Sequence, residues 1–302
     1  MFAYRVQNLV KFYPRQNTPA NNDISFDVQE GEIFGLLGDN GGGKSTLVRQ
    51  MVGLLESSSG RIELFGESIN RDRQRLGLLV GFMPQQSEGL NRLKVGEALF
   101  LTAHLRGMNR KRAERERDLL LEQFALQNLR DRDNALLSRG QRRLVRLAVA
   151  LAGSPAVLVL DEPTNDLDPL RRRAVWERLR ELNVKKRVTI IFVTHDAIEA
   201  EKMVQRIAIL KDGRIVGIGK PDELKKQLSR DLRIELKFNP ENAPVAKPGF
   251  RFEVRRPDHW VFFADWSETV KLLESLREDQ LESIRVHSPT LEDLYVHYVA
   301  EP

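Results

Sequence analysis

Lys44 and Ser45 close a glycine-rich run, Gly38-Asp39-Asn40-Gly41-Gly42-Gly43-Lys44-Ser45-Thr46. A lysine at the end of such a run can reach the β- and γ-phosphates of a nucleotide, and the serine hydroxyl can sit on a magnesium ion. The glycines let the backbone curl so that successive N–H groups point inward and cradle phosphate oxygens. Further along, Asp161 and Glu162 stand side by side and His195 follows a threonine. Asp161 suits magnesium coordination, and Glu162 suits orienting and deprotonating a water. Alone, a carboxylate at a strand end is most often a cap, and a lone histidine is more often a surface or core residue than a catalytic one. A phosphate loop in the same chain reverses the odds for the carboxylates. The chemistry that the run implies is binding of a nucleoside triphosphate.

These groups need elements to hold them. The run Glu32-Ile33-Phe34-Gly35-Leu36-Leu37 is short, apolar and strand-like, and Leu47 to Leu55 has helical spacing, so the loop joins a strand to a helix. The positive end of that helix adds to the attraction for phosphate. Val157-Leu158-Val159-Leu160 and Val188 to Val193 are uniformly apolar, as in a parallel sheet covered on both faces. Their polar residues fall just past the strand ends, where open α/β sheets place their ligands. Residues 1 to about 30 read as short strands broken by a polar loop, Arg15 to Asn22. A turn at Ser57 to Gly60 precedes a strand from Arg61 to Phe65, and another short strand ends at Gly81-Phe82-Met83-Pro84-Gln85. Residues from about 94 to 150 have helix-like apolar spacing, with Leu99, Leu101, Leu105, Leu119, Leu120 and Phe124 recurring. Beyond Ile218 the character changes: Pro221 opens a helix, and residues from about 230 alternate strands with two helices around a Pro240 to Pro248 loop. That part reads as a small α+β appendage with its own modest core and no chemical motif.

A chain of 302 residues accommodates one large domain and a small one. No apolar run approaches the roughly 18 residues that cross a bilayer, and the opening Met1-Phe2-Ala3-Tyr4-Arg5 lacks the apolar region of a signal peptide. The absence of cysteine excludes a disulfide framework and a thiolate metal site. All of this suits the cytoplasm. The net charge of +5 could draw nucleic acid or an anionic membrane surface. The basic residues alternate with acidic ones, as from Arg110 to Asp118, which reads as a solvated helix face laced with ion pairs.

Leu137-Ser138-Arg139-Gly140-Gln141, about twenty residues before the Val157 strand, decides what the order of these pieces resembles. On its own, Ser138 would be a helix cap before an amphipathic run. In this order the chain resembles the ATP-binding cassette (ABC) ATPases, over residues 2 to roughly 225. The resemblance implies an α/β fold of the P-loop NTPase class: a mainly parallel sheet core, an antiparallel β subdomain and a helical subdomain at about 94–150. It places an ABC domain at 1–225 and a small C-terminal α+β domain at 226–302. By its own surroundings Tyr13 would be a half-buried edge-strand residue; the resemblance assigns it to stacking on adenine. It likewise implies that Gly38, Asp39, Asn40, Gly41, Gly42, Gly43, Lys44, Ser45 and Thr46 bind the nucleotide. Ser45, Gln85 and Asp161 would hold Mg2+, Gln85 would sense the attacking water, Glu162 would be the catalytic carboxylate, and His195 would contact the γ-phosphate. Asp166-Leu167-Asp168 resembles the loop that crosses to the other subunit. In this family Ser138, Gly140 and Gln141 close over the phosphate loop of a second subunit, so two chains, expected to be identical, sandwich two ATP molecules.

The sequence departs from the family pattern at two places. Arg139 stands where glycine is usual, and three readings remain open: it reaches the facing γ-phosphate, it crowds the closed dimer, or it points to solvent. Asp39 stands where proline is common, with a side chain expected to turn outward. The tail His287-Ser288-Pro289-Thr290-Leu291-Glu292-Asp293-Leu294-Tyr295 is similar to the ending of ATPase subunits from bacterial type-2 ABC exporters. That likeness implies an ATP-hydrolysing subunit on the cytoplasmic side of the inner membrane, driving a separate integral-membrane permease and binding no nucleic acid. The alternative is a soluble, non-transport ABC ATPase that serves cofactor assembly, ribosomes or nucleic acid. The stretch between Lys44 and Ser138 is too short for the coiled coil of the DNA-repair members, and the single cassette departs from the ribosome-acting ones.

Overall fold

The computed structural model describes residues 1–86, 89–226, 231–242, 251–277 and 280–300. The chain divides into two compact units between Pro221 and Asp222.

In the first unit, β1 (Phe2–Lys11) and β2 (Asn21–Gln29) pair antiparallel, burying Tyr4, Val6 and Leu9 of one and Ile24, Phe26 and Val28 of the other. β1 is a single ten-residue strand, longer than the short pieces its mixed composition predicts. It tolerates Asn8 at a positive φ, with irregular pairing on both sides of it. β3 (Ile33–Gly38) is buried at every position and runs through the glycine-rich loop into α1 (Lys44–Met51). β4 (Ser59–Leu64) returns to β1, and the two-residue β5 (Glu67–Ser68) completes a four-stranded sheet of order β2-β1-β4-β5.

α2 (Arg73–Leu79) leads into β6 (Val80–Met83), which ends ahead of Pro84 and Gln85. The helical segment contains α3 (Val95–Leu105), α4 (Arg110–Gln123) and α5 (Arg139–Leu151). On α4 the alternating charges pair as their spacing implies, with Arg110 and Glu114 3.1 Å apart at i,i+4. β7 (Val157–Asp161), α6 (Pro169–Lys186), β8 (Thr189–Thr194), α7 (Ala197–Met203), β9 (Arg206–Lys211) and β10 (Arg214–Gly219) follow. The second sheet has the order β10-β9-β3-β8-β7-β6, parallel throughout except for the β9–β10 hairpin. β7 and β8 are buried at every position, as their unbroken apolar runs require. The core joins the two sheets through α1, with Tyr4, Phe34, Leu47, Val48, Val159, Ile191 and Leu210 in one cluster.

The short α8 (Pro221–Lys225) begins at the last residue of the first unit and continues into the second. β11 (Leu232–Phe238), β12 (Arg251–Arg255), β13 (His259–Ala264) and β14 (Leu281–His287) form an antiparallel sheet of order β12-β13-β11-β14. α9 (Trp266–Ser275) places Leu272 on a core of Ile234, Leu236, Phe238, Trp260 and Phe262. α10 (Leu291–Ala300) is capped by the tail motif: Asp293 accepts from the Thr290 backbone N–H at 2.7 Å while the Thr290 hydroxyl accepts from Asp293 N–H at 3.2 Å. The same Asp293 carboxylate pairs with Arg233 of β11, which fastens the helix to the sheet.

Candidate functional site

The glycine-rich run sits at the carboxyl end of β3, the strand between β8 and β9 in the sheet. Gly43 caps α1 with a φ of +96°, and a Cβ there would lie 2.4 Å from the Ala20 carbonyl oxygen. Only glycine lets the chain turn so tightly against β2. Behind the loop, buried Asn21 donates to the Gly43 carbonyl at 3.1 Å, and Gln50 donates to Asn21 at 2.7 Å. The loop is therefore braced from a strand distant in sequence. Lys44 curls back over it, its ammonium donating to the carbonyls of Gly38 and Asp39.

A cavity of about 330 Å³ opens in front of the loop, lined by Asp39, Asn40, Gly41, Gly43, Lys44, Ser45, Thr46, Gln85, Asp161 and Glu162, with Ala20 at its edge. Ten of the residues that the sequence singles out thus meet in one space. Gly38 and Gly42, both buried, are not among the residues of the cavity wall. The Ser45 hydroxyl is 3.4 Å from Asp161 Oδ2. Tyr13, half-buried just beyond β1, places its hydroxyl 3.2 Å from that of Thr46. Asp39 is exposed on the rim.

Glu162 follows the last residue of β7 and takes a φ of +51°, an uncommon conformation for a residue with a side chain. Its N–H is tied to the Val193 carbonyl at 2.8 Å, and its side chain is buried. Three groups converge on the carboxylate. Gln85 Nε2 donates to Oε2 at 2.9 Å, Asn165 Nδ2 donates to the same oxygen, and His195 Nδ1 lies 2.6 Å from Oε1. An ionised carboxylate can only accept, so toward an ionised Glu162 it is Nδ1 that carries the proton, on a ring that is half-exposed. Behind this constellation the buried Glu199 accepts from the hydroxyls of Thr164 and Thr194 and from the indole of Trp176. That hub links the turn after Glu162 to the residue before His195.

Burial pushes the Lys44 ammonium below its ordinary pKa, opposed by Glu162, Asp161 and Asp39. Burial likewise pushes the Asp161 carboxyl up, and repulsion from Glu162 adds to the shift. One ammonium among several carboxylates makes a pocket that a polyphosphate alone fills poorly and that a hard divalent cation would balance. Ser45 and Asp161 supply the oxygen donors that magnesium takes alongside phosphate. Among the described residues no group of three or more His, Cys, Asp or Glu side chains could hold a metal ion by itself.

Ser138, Gly140 and Gln141 line no part of this cavity. Ser138 caps α5, accepting from Gln141 N–H at 3.2 Å while Gln141 Oε1 accepts from Ser138 N–H at 3.0 Å. Within one chain the helix-cap reading of Ser138 is what the structure shows. Arg139 is exposed at the first position of α5.

Sequence reasoning missed Asn165, Asn21, Gln50 and Glu199. Asn165 carries a weak local signal, three residues after Glu162. The others reach the site from separate strands and helices and leave no spacing to read.

A family profile described as "ABC transporter" matches residues 21–165. The chain is 39% identical over 203 residues to Nod factor export ATP-binding protein I of Bradyrhizobium diazoefficiens, covering 67% of this chain and 66% of that protein. It is 39% identical over 225 residues to the protein of the same name from Burkholderia lata, covering 74% and 73%. The alignments thus span about two thirds to three quarters of these relatives. Among solved structures, one described as the ATP-binding subunit of an ABC transporter superposes with a TM-score of 0.69 at 29% identity, over 75% of this chain and 93% of that one. The dimeric post-hydrolysis state of the ATP-binding cassette MJ0796, bound to ADP and Pi, superposes with a TM-score of 0.67 at 26% identity, over 72% and 98%.

Proposed function

The chain belongs to the ABC transporter family, and from that premise we propose that it is the ATP-hydrolysing subunit of an exporter, working as a dimer beside an integral-membrane permease. The observation that carries the proposal is the convergence of Lys44, Ser45, Asp161, Glu162 and Gln85 on one cavity, with His195 on the same carboxylate. The bacterial relatives, named for export, support the direction of transport. No helix among the described residues is long and apolar enough to cross a membrane.

In this reading the backbone N–H groups of Gly41 to Thr46 and the Lys44 ammonium bind the β- and γ-phosphates, and Tyr13 stacks on the base. Ser45 and Asp161 would hold Mg2+, with Gln85 beside them, and the ion when bound would neutralise charge on the phosphates. Glu162, steadied by Gln85 and Asn165, orients the attacking water and accepts its proton. His195, fixed through Nδ1, presents Nε2 toward the γ-phosphate position. Ser138, Gly140 and Gln141, which line no part of their own chain's cavity, close over the nucleotide of a second copy.

Substituting Glu162→Gln tests the assignment. We expect turnover to fall about 10²–10⁴-fold, the range of a lost general base, while ATP still drives dimerisation. Tagged variant protein with ATP should then recover an integral-membrane protein in stoichiometric amount from detergent-solubilised host membranes. Wild-type turnover in the variant would remove Glu162 from its role. Recovery of only soluble proteins, ribosomes or nucleic acid would replace the exporter by a soluble ABC ATPase.

A further inference from the structure

α5 begins at the Ser138 cap and lies directly along β6, the strand that leads to Gln85. Gly81 permits the approach, since a Cβ there would sit 2.1 Å from the Ala150 carbonyl oxygen. At the far end of α5, Arg106 donates to the carbonyls of Ala150 at 2.9 Å and Val80 at 3.3 Å, which joins the last turn of the helix to the first residue of the strand. At the near end two more guanidinium groups face the strand's exit. Nη1 of Arg146 is 3.1 Å and Nη1 of Arg143 is 3.4 Å from the carbonyl oxygen of Gln85. Arg143 is buried and turns its other nitrogen to Asp166, 3.5 Å away, in the turn that follows Glu162. Two cations sharing one carbonyl oxygen cost mutual repulsion and desolvation, which packing of a helix on a strand does not require.

We propose that Arg143 and Arg146 are positioning residues that pin the Gln85 backbone so that its side-chain amide stays on Glu162. The Gln85 amide donates to Glu162 at 2.9 Å, and in this proposal a released backbone would lengthen that contact. Through Arg143 the same device links the Asp166 turn to the helix that carries Ser138. A shift of α5 therefore moves Gln85 and alters the hold on the Glu162 carboxylate. The inference rests on the ATPase reading above, and two readouts on the full chain separate the two.

The first readout is backbone amide exchange in nucleotide-free protein, and the second is steady-state ATP turnover. Arg146→Met is the primary variant because its side chain is only partly buried, with Arg143→Met beside it and Arg146→Lys as the conservative rescue. Loss of a charge-assisted bond predicts exchange at residues 83–86 faster by about tenfold, and kcat lower by about tenfold, with KM for ATP unchanged within about twofold. Exchange in β3 and α1 should stay as in the wild type, and Arg146→Lys should recover most of both losses. Unchanged exchange at 83–86 in both methionine variants would overturn the proposal. So would a fall in kcat that comes with general exchange across the chain and no rescue by lysine, since that describes a folding defect. A wild-type chain that turns over no ATP with its permease would instead refute the ATPase reading, and the exchange result would still decide the arginines.

Discussion

At the scale of single residues, the site's central feature is a buried carboxylate held from three sides. Gln85, Asn165 and His195 come from three different segments, and each supplies a nitrogen to Glu162. Next to it, Asp161 is buried with a second carboxylate for a neighbour, and its pKa is raised. A raised pKa means that the folded chain holds the proton more tightly than the unfolded one. The stability that Asp161 contributes is therefore full below its ordinary carboxylate pKa and is lost as pH rises from there through the raised folded-state value. At neutral pH the ionised group opposes folding of the nucleotide-free protein. Asp161→Asn should raise the Tm of nucleotide-free protein at neutral pH, and this advantage should fade at pH values below the ordinary carboxylate range. The same variant should also lose the further rise in Tm expected of the wild type with Mg-ATP. Thermal melts with and without Mg-ATP check both, and a lower Tm for the variant at neutral pH would contradict the burial argument.

At the scale of elements, the helical segment is fastened to the sheet by polar contacts as well as by packing. Arg106, just beyond α3, is partly buried, and burial lowers its pKa to about 10. Its guanidinium meets carbonyl oxygens of Val80, Val149, Ala150 and Ala152. The cation thus sits at the negative end of α5 and satisfies carbonyls that the helix leaves open. Arg106→Met keeps the apolar stem and removes every one of these donors. Unpaired buried carbonyls should cost about 1–3 kcal/mol. For a cassette of this size that corresponds to a fall of about 2–4 °C in Tm per kcal/mol. Urea denaturation of the variant measures the loss, and an unchanged midpoint would show that water replaces the guanidinium. The elements also explain what was hard to read beforehand. α6 buries only Val175, Leu179, Leu182 and Asn183 among arginines and glutamates, so its apolar face is thin in sequence.

At the scale of the whole molecule, two units carry separate cores, one joining two sheets through α1 and one between the antiparallel sheet and α9. All of the residues assigned to the nucleotide lie in the first. A chain ending at residue 221 should fold, and its affinity for ATP should match that of the full chain within about threefold, because no nucleotide contact is removed. Calorimetry of the full chain should show a transition that the shorter chain lacks. A shorter chain that fails to fold, or that binds ATP more than about tenfold more weakly, would make the second unit part of the nucleotide machinery.

The sequence by itself determined the local chemistry. A strand, a glycine-rich turn ending in Lys44-Ser45 and a helix are contiguous, so short-range spacing specifies them, and the same holds for carboxylates at the end of an unbroken apolar strand. The parallel sheet and the appended α+β unit were legible for that reason, since β7, β8 and β11 announce themselves by pattern. The tertiary structure alone decided which of these pieces meet. Strand order puts β7 between β8 and β6, and that order brings His195 and Gln85 to Glu162. The left-handed turns at Glu162 and Asp166 aim side chains where no periodicity points. Asn21 behind Gly43, Glu199 behind His195, and the arginines on the Gln85 carbonyl are contacts between segments far apart in the chain. Such contacts depend on packing that selects one arrangement of the elements, and residue spacing along the sequence does not record it.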